Sequence, residues 1–286
     1  MKQAFILAAG FGTRLLPLTY FLPKPLFPVY NTPVILRILH QLAKAKFDRV
    51  FVNLHHLSHR IENFLSNYDF SLDIVFLKEE TILGTGGGIG QAMPLLDSSS
   101  PLLVYNGDIV CDIDLNAFWR KGLKYSDYAA ALLIHNKEPY NNVRVEQNEI
   151  AGFGYSGRNA LAYCGISVLG PRSFSYFRGK PPYSLIEVFK KCIQDQHRIK
   201  AIHAESLNKN YLWADIGTLD GYIDAHAALL KKNENKETKE WSVLGSRAKI
   251  GKNSRLSESV VWDHCTVENG AFLKRAIVTP YGTMKN

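Results

Sequence analysis

Residues 7–26 read LAAGFGTRLLPLTYFLPKPL. They follow an apolar run, AFILAA at 4–9, that reads as a buried strand. The strand gives way to Gly10 and Gly12, which permit positive φ or the close approach of a ligand to the backbone. Amides in such a turn can face phosphate oxygens. A dinucleotide-binding fold needs a third glycine or alanine three residues on and a helix running straight from it. This chain has Leu15 at that place, and Pro17, Pro23, Pro25 and Pro28 forbid a long helix. No Gly-Lys-Ser/Thr follows a glycine cluster, which excludes a phosphate-binding loop of the NTPase kind. Arg14 stands alone in the turn. Lys24 stands between two prolines, which limit where its ammonium can point. A positioned cation is what a reacting phosphate needs.

Outward from this stretch, apolar runs alternate with segments of helical period. PVILRILHQLAKA (33–45), HRIENFLSNY (59–68), GGIGQAMPLL (87–96) and DLNAFWRKGLKY (114–125) read as helices, the last with Asp114 as N-cap. RVFVNL (49–54), LDIVFL (72–77), PLLVYNGD (101–108) and YAAALLI (128–134) read as strands. This alternation predicts an α/β fold whose mixed, mostly parallel sheet is covered by helices on both faces. Residues 143–169 read as a hairpin and a return strand. SLIEVFKKCIQD (184–195) reads as an amphipathic helix, and YLWADIGTLDGYIDAHAALL (211–230) as a strand, a turn and a helix. The second half is expected to form a lid or subdomain.

KKNENKETKE (231–240) has no apolar residue and reads, through residue 241, as a charged linker. Beyond it, Leu244-Gly245, Ile250-Gly251 and Leu256-Ser257 recur six residues apart, with Ala248, Ser254 and Val260 four places after each. The register slips by one after Trp262 and resumes at Val267 and Leu273, with Ala271 and Ile277 at the fourth place. Hexapeptide repeats of this kind predict a short left-handed β-helix over 242–286. Six repeats are few for a free-standing solenoid. The tail is expected to pack on the main domain, 1–230, or on another subunit as a homo-oligomer.

The chain has 286 residues and carries a net charge of +8, which suits an anionic partner. No basic block with interleaved aromatics is present, so nucleic acid is not the expected partner. No apolar stretch reaches the roughly 18 residues of a membrane span. The four cysteines, Cys111, Cys164, Cys192 and Cys265, show no metal-site spacing and read as reduced thiols of a cytoplasmic protein. His55 and His59 lie four apart, but without a third ligand they read as structural.

Two further motifs bear on chemistry. GTGGGIGQA (84–92) opens a helix with glycines, a ready site for an anion or a base edge. Asp108 ends an apolar strand in YNGD, the sheet edge at which open α/β folds bind ligands. Asp215, in WADIGT, offers a second carboxylate; two carboxylates meeting phosphate oxygens would hold Mg²⁺. Asp112 and Asp114 compete with Asp108 for that part.

Together LAAGFGTRLLPLT…PKPLFPV, GTGGGI, NGD and WADIGT resemble the sugar-1-phosphate nucleotidyltransferases over roughly residues 1–230. Their fold is a Rossmann-like nucleotidyltransferase domain, and a hexapeptide tail is common among them. The resemblance implies that a sugar 1-phosphate attacks the α-phosphorus of a nucleoside triphosphate in line and that pyrophosphate leaves. It implies that the backbone from Leu7 through Ala8, Ala9, Gly10 and Gly12 to Thr13 holds the nucleotide. It also implies that Arg14 clamps the leaving pyrophosphate, that Lys24 bridges the reacting phosphates, and that Asp108 and Asp215 bind Mg²⁺. Glu79, Glu80, Gly86 and Gly87 fall at the base, and Asn106 and Gly165 at the sugar. A Glu-Lys-Pro segment found in many members is absent from VEQNEIAGFGYSG. GTGGGI with GISVLGPRSF is most similar to the N-acetylmuramate-1-phosphate uridylyltransferases, whereas a tail is similar to mannose- or heptose-1-phosphate guanylyltransferases. Uridylyl transfer is the favoured expectation and guanylyl transfer the second. A non-catalytic nucleotide-sugar-binding subunit is the rival class; retention of Arg14, Lys24, Asp108 and Asp215 argues for the enzyme.

Overall fold

A computed structural model describes residues 1–125, 127–234 and 241–285. In chain order the elements are β1 (Gln3–Leu7), a hairpin of β2 (Pro28–Val29) and β3 (Thr32–Pro33), α1 (Val34–Lys44), β4 (Arg49–Leu54), α2 (Ser58–Leu65), β5 (Asp73–Lys78) and α3 (Gly84–Ala92). There follow β6 (Leu102–Asn106), β7 (Ile109–Cys111), α4 (Leu115–Leu123), β8 (Ala130–His135), β9 (Val143–Glu146), β10 (Glu149–Phe153), β11 (Ala162–Leu169), α5 (Leu185–Gln194), β12 (Ile199–His203), β13 (Trp213–Asp215) and α6 (Leu219–Glu234). Backbone contacts divide the chain into two compact units.

The first unit comprises Met1–Gly10, Leu39–Gly107 and Asp112–Tyr211. Its sheet has the order β5-β4-β1-β6-β11-β8-β12-β10-β9. β1 is buried along almost its whole length, as a strand covered on both faces must be. Phe5, Phe51, Val104 and Leu132 of the sheet share a core with Ile89 of α3 and Val188 and Phe189 of α5. Asp114 caps α4 by accepting from the Ala117 amide. Ser184 and Glu187 close a reciprocal capping box at the start of α5, satisfying two amides that the helix itself cannot.

The sheet is evenly mixed, not mostly parallel. Among the described residues, β5/β4, β4/β1, β1/β6 and β12/β8 are parallel, whereas β6/β11, β11/β8, β12/β10 and β10/β9 are antiparallel. The cause is two strands that run against the rest, β11 between β6 and β8 and β10 between β12 and β9. For the same reason residues 143–203 form no separate lid: their strands complete this one sheet. Helix α3 starts at Gly84, three residues before the start read at Gly87, so that it opens on the whole glycine cluster 84–88.

The second unit comprises Phe11–Ile38, Asp108–Cys111 and Leu212–Asn286. Its first segment advances through three single turns of 3-10 helix, Thr13–Leu15, Leu18–Tyr20 and Lys24–Leu26, as its prolines require. β13 and β7 pair antiparallel. Of the charged stretch 231–241, residues 231–234 continue α6, and 235–240 lie outside the described residues.

The tail holds β14 (Ser242–Leu244), β15 (Lys249–Ile250), β16 (Arg255–Ser257), β17 (Ser259–Val261), β18 (Thr266–Val267), β19 (Phe272–Lys274), β20 (Ala276–Thr279) and β21 (Gly282–Lys285). Ser242 pairs with Ser259, Lys249 with Thr266, Arg255 with Phe272 and Val260 with Ile277, all in parallel ladders and each at an offset of 17 residues. Each coil is one residue short of three hexapeptides, and because Ser242 and Ser259 both precede Trp262 the short step lies before that residue, not after it: the positive-φ corners Asn253 and Glu258 are five residues apart, whereas Arg247 and Asn253, and Glu258 and His264, are six apart. Val243, Val260 and Ile277 stack and are buried. The tail packs on α6: Arg275 pairs with Asp220 and Asp224, and the Trp262 indole donates to Tyr222 Oη at 3.0 Å.

Candidate active site

The second unit gathers the predicted charges. The β7/β13 ladder sets Asp215 opposite Ile109, and the Ile216 amide donates to the Asp108 carbonyl at 3.1 Å. The two aspartates therefore share one end of a two-stranded ladder. Lys24 Nζ lies 2.5 Å from Asp108 Oδ2, with the side chains only 13% and 24% exposed. The Lys24 carbonyl accepts from the Phe27 amide at 2.9 Å, which closes the turn that aims the ammonium. Arg14 lies against Gly217: a Cβ added there would come within 2.6 Å of Arg14 Nη2 and 2.7 Å of Asp215 Oδ1.

Asp215 Oδ1 accepts from the Gly217 amide at 2.6 Å. Burial pushes the Asp215 carboxyl above the usual carboxylate range, and the neighbouring Asp108 pushes it further the same way. The Gly217 amide and the charges of Lys24 and Arg14 pull against that rise. Two carboxylates near enough to repel, one of them desolvated, form a place where a hard cation lowers the energy. The hydrogen bonds found among the described residues engage one oxygen of each carboxylate, which leaves one oxygen apiece to face such an ion. Among the described residues no group of three or more His, Cys, Asp or Glu side chains forms a ready metal cage. The pair therefore fits Mg²⁺, which takes few protein carboxylates and completes its shell with phosphate oxygens and water.

Phe11, Gly12 and Thr13 also belong to this unit. Gly12 has φ +64°, and a Cβ there would meet Thr19 Cγ2 at 2.8 Å. Its carbonyl accepts from the Leu15 amide and Thr19 Oγ1. Gly12 is thus required by the turn itself.

The first unit holds the other predicted residues. Leu7 pairs with Asn106 on one side and Asn53 on the other. The Ala8 amide donates to Asn53 Oδ1 at 2.8 Å, and Asn53 Nδ2 donates to Glu79 Oε1 at 2.7 Å. Glu79 Oε2 accepts from the Leu83 amide at 2.9 Å, and Nδ1 of His55 sits 2.7 Å from the Glu79 carbonyl oxygen. Ala9 is buried and Gly10 exposed; a Cβ on Gly10 would meet no atom within 4 Å. Gly165 has φ +77° and lies in the irregular part of β11. The β6/β11 register ends with Tyr105 opposite Ile166, the neighbours in sequence of Asn106 and Gly165.

The glycines of α3 serve two close approaches. The Gly86 and Gly87 amides both donate to the Tyr183 carbonyl. Cβ atoms at Gly86 and Gly90 would strike the Tyr183 ring and hydroxyl at 2.6 and 2.7 Å, and one at Gly88 would strike Asn53 and Glu79 at 2.6 and 2.7 Å. Asn53, Tyr183, Gly107 and Gly217 are the residues that motif reading misses. A Cβ at Gly107 would meet the Leu7 carbonyl at 2.6 Å, and the glycine of NGD was the available signal.

A sequence profile of the family described as nucleotidyl transferase matches residues 3–149. The chain is 31% identical over 239 residues to N-acetylmuramate alpha-1-phosphate uridylyltransferase of Neisseria meningitidis, covering 79% of this chain and 97% of the relative. It is 29% identical over 299 residues to mannose-1-phosphate guanylyltransferase 1 of Arabidopsis thaliana, covering 96% of this chain and 81% of the relative. The fold is similar to that of a UDP-glucose pyrophosphorylase from Acinetobacter baumannii, with TM-score 0.69 at 18% identity over 82% of this chain and 94% of the other.

Proposed function

The chain belongs to the nucleotidyl transferase family, among the sugar-1-phosphate nucleotidyltransferases, and from that premise we propose that Arg14, Lys24, Asp108 and Asp215 are its catalytic set. The observation that carries this is their assembly in one unit, with Lys24 bonded to Asp108 and Arg14 against the Asp215 turn. An oxygen of the sugar phosphate bonds to the α-phosphorus as the bond to the β-phosphate oxygen breaks, and that oxygen leaves with pyrophosphate. The nucleophile is already an anion, so no side chain has to take a proton. Catalysis is then alignment and charge neutralisation.

Lys24, three residues from a buried aromatic and closed into its turn, holds a reacting phosphate oxygen. Arg14, an exposed residue, holds the departing pyrophosphate. The segment Leu7–Thr13 holds the nucleotide, with Glu79, Gly86 and Gly87 at the base. Asn106 and Gly165, each next to a residue of the last β6/β11 pair, hold the sugar. Asp108 and Asp215 would hold Mg²⁺, which when bound neutralises phosphate charge. The tail is read as a left-handed β-helix.

Uridylyl transfer to N-acetylmuramate 1-phosphate is the first substrate reading, supported by GTGGGI and by the 31% identical relative. Guanylyl transfer to mannose 1-phosphate is the second. The match that supports it covers 96% of the chain and so must extend into the tail. The test is pyrophosphate release from four NTPs against a panel of sugar 1-phosphates, with and without Mg²⁺, beside thermal melts of the same mixtures. The active combination is expected to raise the melting temperature, because ligand binds the native state. No turnover across the panel would overturn the enzymatic reading.

A further inference from the structure

The catalytic turn and the tail meet within the second unit through two aromatic pairs, and these flank one residue. Phe21 lies three residues before Lys24, and Phe27 three residues after it. Phe21 stacks on Tyr281, with ring centroids 4.3 Å apart and planes 7° from parallel. Phe27 is wholly buried and meets the Trp262 ring edge-on at 5.3 Å and the Tyr222 ring at 5.8 Å. Both geometries are favoured by the aromatic quadrupole.

Polar contacts set these rings. The Trp262 indole donates to Tyr222 Oη, and Tyr222 in turn donates to the Pro28 carbonyl. Tyr281 sits in the turn between β20 and β21, where its amide donates to Thr279 Oγ1 at 3.1 Å. Asn31 Nδ2 donates to the Leu244 carbonyl at 2.9 Å, a third tie between this segment and the tail. Between its two anchors Lys24 has little freedom, since Pro23 and Pro25 fix the neighbouring backbone and the Phe27 amide bonds to the Lys24 carbonyl.

We propose that the tail is a positioning element for Lys24, with Tyr281 and Trp262 fixing the aromatic residues on either side of it. A tail that served only to bury its own repeats would need contact with α6 alone. This one also grips the two ends of the lysine-bearing turn. Small displacements of a group that contacts reacting atoms are costly to rate, so loss of either grip reaches Lys24 without touching substrate.

This inference rests on the reading of Lys24 as the cation at the reacting phosphates. Tyr281 is partly exposed, so Tyr281→Ala keeps the fold. The variant is expected to lower kcat about threefold to tenfold, the worth of one aromatic stack, with KM for both substrates within about twofold. Tyr281→Phe keeps the ring and is expected to restore kcat. In a Lys24→Ala background Tyr281→Ala is expected to add nothing, because both changes act through one group. Trp262→Phe, which keeps a ring against Phe27 and loses the indole donor, is expected to show the same split between kcat and KM.

A readout independent of turnover is labelling of Lys24 by acetic anhydride, followed by mass spectrometry. Tyr281→Ala is expected to raise labelling of Lys24 severalfold relative to the other lysines. Unchanged kcat and unchanged labelling in Tyr281→Ala overturn the inference, as does an equal loss of kcat with and without Lys24. Wild-type turnover by Lys24→Ala overturns instead the reading of Lys24 itself.

Discussion

Lys24 and Asp108 are 84 residues apart in sequence and bonded Nζ to Oδ2 at 2.5 Å, both mostly buried. On the roles proposed for the two side chains the bond has a functional as well as a structural sense. A lysine that waits for a phosphate needs a partner in its absence, and a carboxylate that waits for a cation needs the same. Each satisfies the other until the substrate, with its own charges, offers both a replacement.

Lys24→Ala is expected to lower kcat about 10²- to 10³-fold, the scale on which one preorganised charge acts at a transition state. Asp108→Asn is expected to fall by a similar factor. Because the two side chains act as a unit, the double variant is expected to lose far less than the product of the two. Steady-state kinetics of the three proteins decide it; strictly multiplicative losses would show that the pair is not coupled in the reaction.

Asp215 is raised above its ordinary range by burial and by Asp108, so folding holds its proton to a higher pH than the unfolded chain does. The sign follows from linkage: stability is fully present below the unfolded pKa and is lost as the pH rises through the folded one. At neutral pH the ionised carboxylate therefore costs stability. Asp215→Asn keeps an oxygen for the Gly217 amide and removes that charge. The variant is expected to melt at a higher temperature than wild type at pH 7.5, to lose turnover by about 10²-fold, and to lose the Mg²⁺-dependent rise in melting temperature. A lower melting temperature with full activity would contradict both the strain and the role.

Gly217 offers a joint probe of Arg14 and Asp215, since a methyl there would also stand 2.7 Å from Asp215 Oδ1. A methyl at 217 would stand 2.6 Å from Arg14 Nη2, and the guanidinium is the free end of an exposed side chain. It can swing away at little cost to the fold. Gly217→Ala is expected to leave the melting temperature within a few degrees and to raise KM for pyrophosphate in the reverse reaction about tenfold, the worth of one charged hydrogen bond. An unaltered KM for pyrophosphate would remove Arg14 from the leaving-group role.

Period and punctuation make much of this fold legible. Alternating strand and helix periods locate β4, α1, α4 and α5, and Asp114 marks a helix start by its chemistry. The four prolines before residue 29 exclude a helix and leave single turns. Direction is not legible. A run such as Ala162–Leu169 is buried on both faces wherever it sits, so although it reads as a return strand the pattern cannot reveal that β11 lies between β6 and β8. Partnership is not legible either. The glycines of α3 read as an open anion site, yet two of their amides are held by the Tyr183 carbonyl nearly a hundred residues on. Asn53 carries no motif and still ties Ala8 to Glu79. In the tail the period points to short parallel repeats but misplaces the short step, which precedes Trp262, and it does not show that Trp262 faces Phe27.

His226, on α6, is one of two buried histidines, with His135, whose titration should lower stability on the acid side. It is wholly buried and its Nδ1 accepts from the Tyr30 amide. Tyr222 crosses its ring at 4.8 Å, and Arg37 is the charged neighbour. Burial, reinforced by the like charge of Arg37, pulls its pKa down to about 3. The unfolded histidine binds its proton near pH 6.5, so below that value the unfolded chain holds more protons than the native one. Stability is full above pH 6.5 and falls as the pH drops toward the folded value. Between pH 7.5 and 5.5 this one group is expected to cost about 1.4 kcal/mol. His226→Gln cannot titrate, so its urea midpoint should depend less on pH than that of the wild type by that amount, whatever its stability at pH 7.5. Identical pH slopes for the two proteins would show that the His226 imidazole does not contribute to the acid sensitivity.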